Sequence, residues 1–242
     1  MRRCASSSEP ASVRRSLTRC APQPNDRASS PKGITSLVAR AVPFVTRDGR
    51  KGTVREARSS DARACLAIVA EAARERPRTL AVLEKELWKP RDWRKHRIPW
   101  GPHGVSLVAE VGGEVVAHLN AERGRRMVTR HSAEFGITVT ARARDTGVGR
   151  ALITTLETWA REYGITRMAL GVFPGNARAH GLYRSLGYED EGVERAGMVF
   201  PEGDQDVVRM SKRISSVPPE QQAQATGTRG YDEGDRSRDG GG

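Results

Sequence analysis

Between residues 53 and 213 the spacing of apolar positions switches several times between a period of two and a period near 3.6, and each switch marks an element. Residues 53–57 read as a short strand. Asp61 is placed to cap a helix running to about Arg74, with Leu66, Val69 and Ala73 on one face. Residues 79–88 predict a second helix that Pro90 ends. Two apolar runs, 106–111 and 114–121, flank Gly112-Gly113 and predict a tight hairpin. Residues 134–140 form a further strand. The stretch from Arg150 to about Tyr163 puts Leu152, Leu156, Trp159, Ala160 and Tyr163 along one stripe, and Gly164 closes it. Residues 167–172 are a compact buried strand, Asn176 caps a short helix ending at Gly187, and 207–214 supply a last strand. The order strand, helix, helix, three strands, helix, strand, helix, strand predicts one α/β (α+β) domain with a mixed sheet and helices on both faces. No internal repeat is visible.

The flanks lack this rhythm. Residues 1–52 are rich in Arg, Ser, Ala and Pro, and hold 11 Lys/Arg against 3 Asp/Glu. Such a segment has the acid-poor composition of an organellar transit peptide but lacks the apolar core of a secretory signal. A disordered basic tail is the favoured reading, ahead of a regulatory arm or an upstream start codon. Residues 214–242, with Pro218-Pro219, Gln221-Gln222 and a terminal triple glycine, read as a second disordered tail. The formal charge of the chain is +12, and most of the excess lies in the first tail. No apolar run approaches the roughly 18–20 residues of a membrane span.

The three cysteines, Cys4, Cys20 and Cys65, show neither metal-ligand spacing nor a disulfide framework. Cys65 falls on an apolar helix side and reads as a buried structural thiol. The pattern suits a reducing, cytoplasmic setting, and no metal is expected.

The candidate chemistry starts at Arg144-Asp145-Thr146-Gly147-Val148-Gly149-Arg150, between the strand at 134–140 and the helix that follows. Glycines there let the backbone approach a ligand closely. The helix start offers unpaired N–H groups and the positive end of a dipole, so the junction is an anion seat. Downstream, Asn176 and Tyr183 lie seven residues apart on the next helix, before Leu186-Gly187-Tyr188.

Strand, Arg-x-x-Gly-x-Gly, helix, strand, then Asn-x-x-Ala with a Tyr seven residues after the Asn: this resembles the GNAT superfamily of N-acetyltransferases over roughly residues 53–213. The resemblance implies a mixed, mostly antiparallel central sheet flanked by helices. It implies acetyl-CoA as the acyl donor, with its pyrophosphate on the turn from Arg144 through Asp145, Thr146, Gly147, Val148 and Gly149 to Arg150. Two strands, at 134–140 and 167–172, are expected to splay, leaving Ile137 and Val139 to meet pantetheine through main-chain atoms. Asn176 is implied in the pantetheine region, although capping a helix is reason enough for an Asn there. Tyr183 is implied as the acid that protonates the departing thiolate, with core packing as the alternative.

An acceptor amine must be neutral to attack, which calls for a base or a water relay. Glu134, alternating with Gly136 and Thr138 on one strand face, is the candidate base; an exposed charge at a strand end is the competing reading. His103, His118 and His131 are weaker candidates. No serine or cysteine sits in a nucleophile–base motif, so direct transfer in a ternary complex is expected. A small amine or amino-acid-like acceptor is favoured, with a protein N-terminal or lysine amine next. Glu202 or Asp204 has the charge to hold an amine, though exposed turn acids are the safer reading. The basic run from Lys89 to Arg97, interleaved with Trp88, Trp93 and Trp100, reads as a solvated face with packed tryptophans rather than a nucleic-acid site. The resemblance leaves room for a homodimer. The rival reading is a non-catalytic CoA-binding module whose basic tail touches nucleic acid.

Overall fold

The computed structural model describes residues 41–96 and 99–215, all within one compact unit. The expectations of disorder for 1–40 and 216–242 lie outside the described residues. Among the described residues eight strands form one sheet in the order β1-β2-β3-β4-β5-β6-β8-β7. They are β1 (Val42–Val45), β2 (Lys51–Glu56), β3 (Gly104–Val111), β4 (Glu114–Arg123), β5 (Ser132–Val139), β6 (Arg167–Val172), β7 (Glu189–Phe200) and β8 (Gly203–Arg213). Every neighbouring pair is antiparallel except β5 and β6, which run parallel. Four α-helices accompany them among the described residues: α1 (Ala62–Arg74), α2 (Pro90–His96), α3 (Val148–Glu162) and α4 (Ala177–Ser185). The mixed, mostly antiparallel α/β architecture expected from the sequence is present.

The strongest sequence signals hold closely. Gly112 and Gly113 both have positive φ, 60° and 83°, which a two-residue hairpin loop with the twist of its strands requires. The apolar stripe of α3 buries Leu152, Ile153, Leu156, Trp159 and Ala160 against the sheet. Trp159 also donates from Nε1 to the Gly101 carbonyl at 3.0 Å, so its one polar atom is satisfied in the core. Glu157, also on the buried side, is paired with Lys212 at 2.7 Å and Arg161 at 3.4 Å.

Other expectations are corrected. A strand, β1, lies at Val42–Val45, inside the stretch assigned to the basic tail, and pairs with β2 through a hairpin at 46–50. Residues 79–88 are not an α-helix; they hold only a 3-10 turn at Glu84–Glu86. Pro90, expected to end a helix, opens α2 instead, because its fixed φ and missing N–H are harmless at a first helical position. In α1 the buried residues are Ala62, Cys65, Ile68, Ala72 and Ala73, so of the expected Leu66, Val69 and Ala73 face only Ala73 is fully buried. Asp61 does not cap α1 through its side chain. Its carboxylate instead takes the Arg58 N–H at 2.6 Å and a two-pronged contact from Arg55 at 2.7 and 3.1 Å. β7 was not expected at all, and β8 starts at Gly203 rather than 207.

A second apolar cluster joins Ala57, Ala62, Cys65, Trp93 and Val108 beneath α1 and α2. Cys65 is fully buried, and desolvation pushes its thiol up to about 12, so it packs as a neutral group. Trp93 is buried there while Trp88 is half exposed, so the basic run packs one of its tryptophans and leaves another in solvent.

His118 on β4 is buried beside Trp93, with ring centroids 5.6 Å apart. Burial lowers its pKa to about 4 from an ordinary value of 6.5, against the opposing pull of Asn120. The unfolded chain therefore takes up this proton first. The stability that neutral His118 contributes is fully present above pH 6.5 and is lost as the pH falls toward 4. Between pH 7.5 and 4.5, urea unfolding should show the wild type losing about 2–3 kcal/mol more than His118→Gln. Equal losses in the two proteins would show that His118 is not the group responsible.

Candidate functional site

β5 and β6 stay together for only three residue pairs, Ser132 with Arg167, Ala133 with Met168 and Glu134 with Ala169. Beyond Glu134 they part. Phe135 to Val139 remain paired with β4 only, and Leu170 to Val172 with β8 only. The sheet thus contains the splay that the sequence resemblance implied. A groove of about 580 Å³ follows the divergence from Glu134 to the head of α3.

At the far end of β5 the chain passes through a 3-10 turn and enters α3 at Gly147, whose φ is 95°. Asp145 just before it is also left-handed, at φ 61°. A Cβ built on Gly147 would meet nothing within 4 Å, so the space over this residue is open to a ligand. The first amides of α3 have no partner within the helix and point into an anion-binding end.

Four arginines line the groove near this turn: Arg47, Arg144, Arg150 and Arg178. They are not equivalent. Arg144 is tied to the protein, with its guanidinium paired to Glu75 and its Nε donating to the Val139 carbonyl at 3.1 Å. It fastens the turn to β5 and to the region after α1. Arg178 pairs with Asp145 at 3.2 Å, and Arg150 donates to Ser185 Oγ at 2.8 Å. Arg47 was not anticipated. From the β1–β2 hairpin its N–H bonds the Thr146 carbonyl at 2.8 Å, and its guanidinium bonds the Asp145 carbonyl at 3.3 Å.

Of the expected site residues, Glu134, Ile137, Val139, Arg144, Asp145, Gly147, Gly149, Arg150, Asn176 and Tyr183 all line this one groove. Thr146 and Val148 do not. Thr146 Oγ1 donates to the Ala143 carbonyl at 2.8 Å, and the Val148 side chain is buried in the core. Asn176 caps α4, its Oδ1 accepting from the Ala179 N–H at 3.2 Å, and also faces the groove.

Tyr183 stands on α4 with its ring edge-on to Phe135 and Tyr188, at centroid distances of 6.1 and 6.0 Å. Desolvation pushes its hydroxyl well above the ordinary tyrosine range, so the oxygen keeps its proton at neutral pH. Glu134 is exposed and pairs with Arg209 of β8 at 3.0 Å. Arg209 was also not anticipated. Val207, which shares the space over Gly171 with Arg209, packs with Phe173 and Phe200, and Leu80 and Met198 add further apolar surface to the groove.

The three weaker histidine candidates are not among the groove residues, and His118 is in the core. Glu202 is occupied by Arg78 and Arg76. Among the described residues no group of three or more His, Cys, Asp or Glu side chains is placed to hold a metal ion, and no helix is long and apolar enough to cross a membrane.

Comparison with known proteins gives a consistent picture. Residues 67–188 match the family model of the acetyltransferase (GNAT) family. An L-amino acid N-acetyltransferase of Escherichia coli (strain K12) is 38% identical over 105 residues, which is 42% of this chain and 62% of that enzyme's length. The crystal structure of a ribosomal-protein-alanine N-acetyltransferase from Brucella melitensis superposes with a TM-score of 0.60 at 30% identity, covering 66% of this chain and 99% of that one. A phosphinothricin acetyltransferase from Sinorhizobium meliloti, solved in complex with AcCoA, shares the fold with a TM-score of 0.60 at 23% identity, over 68% of this chain and 89% of that one.

Proposed function

The chain belongs to the acetyltransferase (GNAT) family, and from that premise we propose that it transfers an acetyl group from acetyl-CoA directly to a primary amine, with a small or amino-acid-like acceptor favoured over a protein amine. The observation that carries this reading is the divergence of β5 and β6. It joins the anion seat at Gly147, the inward edges of two strands, Tyr183 and Glu134 in one continuous groove.

The groove suits the donor. Its glycine turn takes a pyrophosphate on backbone N–H groups, with Arg47, Arg150 and Arg178 close by. Past Glu134, the facing edges of β5 and β6 have main-chain donors and acceptors to offer an extended amide-bearing arm, as an added strand would use them. Acetyl-CoA supplies the acyl group as a thioester: the amine nitrogen forms the new C–N bond, the C–S bond breaks, and the free thiol and an amide are the products.

Proton movements fall to two side chains. Glu134 accepts a proton from the acceptor ammonium, directly or through water, and so frees the nitrogen lone pair. Tyr183, kept protonated by burial, donates to the sulfur as it leaves. The amide nitrogen loses its second proton to solvent, so one proton is released overall. The amino-acid-like acceptor draws support from the Escherichia coli relative, whose name specifies L-amino acids.

The test is release of free thiol from acetyl-CoA with a panel of amino acids, simple amines and peptides. Acceptor-dependent release is the expected result. Tight acetyl-CoA binding with no release across the panel would instead mark a non-catalytic CoA-binding module.

A further inference from the structure

Arg209 and Glu134 sit on different strands with β6 between them. Register puts Glu134 beside Ala169 and Arg209 beside Gly171, so the pair crosses β6 on one face of the sheet. The crossing depends on a bare residue: a Cβ on Gly171 would fall 3.1 Å from Arg209 Nη1 and 2.8 Å from Val207 Cγ1. Two further carboxylates of β7 act on Arg209: Glu194, 3.8 Å from its Nε, and Glu191, which Arg167 holds more directly. Both members of the pair are about half exposed. A pair so exposed adds little to stability, yet it lies where the groove begins to open and where the acceptor nitrogen must arrive.

The remaining arginines of the groove gather at the other end, by the glycine turn. Among the groove residues Arg209 is therefore the cation of the acceptor end; Val207 and Phe173 give it an apolar neighbourhood, and Leu80 and Met198 also line the groove. A simple amine binding Glu134 would draw that carboxylate away from Arg209 and cost the guanidinium its shortest ion pair. A zwitterion would not, because it brings an anion with its cation.

We propose that the Glu134–Arg209 pair is the recognition site for a free α-amino acid with an apolar side chain, which inserts between the two. Its carboxylate bonds Arg209, its ammonium bonds Glu134, and its side chain lies on the apolar surface of Val207 and Phe173. The inference rests on the acetyl-transfer reading and narrows its acceptor. A guanidinium offers a planar fork that matches a carboxylate, and inserting the substrate exchanges one ion pair for two. The same contact sets the amine against Glu134, the group assigned to deprotonate it. Arg209 is then a specificity-determining residue.

The experiment compares L-leucine, L-leucinamide and L-aspartate as acceptors for the full chain and for Arg209→Gln and Arg209→Lys. Leucinamide keeps the amine and side chain but has no carboxylate. The wild type should prefer leucine to both others. Arg209→Gln should lower kcat/KM for leucine by about 100-fold, chiefly through KM, because a carboxylate loses its charged partner. It should lower leucinamide far less, and Arg209→Lys should recover part of the loss. The dissociation constant of acetyl-CoA, measured in each variant, should stay that of the wild type. Equal losses for leucine and leucinamide would overturn the proposal, since Arg209 would then merely steady Glu134. A wild type indifferent between leucine and leucinamide would overturn it too. Transfer to peptides or plain amines with none to leucine would sink this proposal and leave acetyl transfer standing; no thiol release with any acceptor would sink both.

Discussion

Replacing Gly147 by glutamate should weaken acetyl-CoA binding by about 100-fold or more, because a carboxylate would occupy the seat of the pyrophosphate. The geometry makes this a test of the site rather than of the fold. The space over Gly147 is open, so a Cβ there meets no neighbouring atom and the side chain starts out where a ligand would lie. Its φ of 95° costs any non-glycine residue on the order of 1–2 kcal/mol. That strain is partly offset in the free protein, where an acid at the head of α3 interacts favourably with the helix dipole. A modest fall in melting temperature should therefore accompany a large loss of affinity. Gly147→Ala separates the two effects, since it carries the strain without the charge and should keep most of the affinity. Titration calorimetry with acetyl-CoA decides the matter, and an unaltered affinity in the glutamate variant would remove the turn from the cofactor site.

Tyr183→Phe should lower kcat by roughly 100-fold or more, the usual scale for losing a positioned proton donor, while leaving the affinity for acetyl-CoA near that of the wild type. The substitution deletes one oxygen and keeps the ring. The edge-on contacts with Phe135 and Tyr188 persist, so α4 stays where it is. Burial is what suits the hydroxyl to the task, since it holds the proton until a developing thiolate needs it. Steady-state kinetics on the variant, with its fold checked by circular dichroism, provide the measurement. Undiminished turnover would reduce Tyr183 to a packing residue.

What the sequence disclosed, and what it hid, follows from how local each signal was. The glycine turn, α3 and the Asn176–Tyr183 helix are contiguous, and their residues meet in one groove because short segments carry them there. β6 was read to its ends, Arg167 and Val172, since a short apolar run from Met168 to Val172 marks it, although only Met168, Leu170 and Val172 are buried and Gly171 is exposed. β7 was invisible for the opposite reason. Its run of Glu189, Asp190, Glu191, Glu194 and Arg195 is nearly all exposed at the sheet margin, so no alternation of apolar residues betrays it. β1 has four residues, one of them Pro43, and follows an arginine-rich stretch. Missing β1 meant missing Arg47, which reaches the turn from 98 residues away. Arg209 was hidden in the same way, because its partner Glu134 is 75 residues distant and only strand order brings them together. The 79–88 helix failed although Leu80, Leu83 and Leu87 fall at helical spacing: Thr79, Leu80 and Ala81 line the groove and Leu83 packs against Phe173, Phe200 and Val207 instead.

An open sheet ordinarily has two edges, and this one has four. Where β5 and β6 separate, each gains a free margin inside the molecule, and unpaired margins invite the strands of other chains. The two outer margins are protected by means common in β-proteins. β1 is short and carries a proline, while β7 is charged and broken in register near Gly192 and between Glu194 and Met198. The inner margins have no such residues; Phe135, Ile137, Val139, Leu170 and Val172 are the segments most prone to pair with a stranger. Their protection is enclosure, since they face each other across a cleft bounded by α3 and α4 and offer no flank for a second sheet to approach. Opening that cleft, by loosening α4 for instance, would expose both margins at once, so the part of the sheet set aside for a ligand is also the part whose unfolding carries the greatest risk of aggregation.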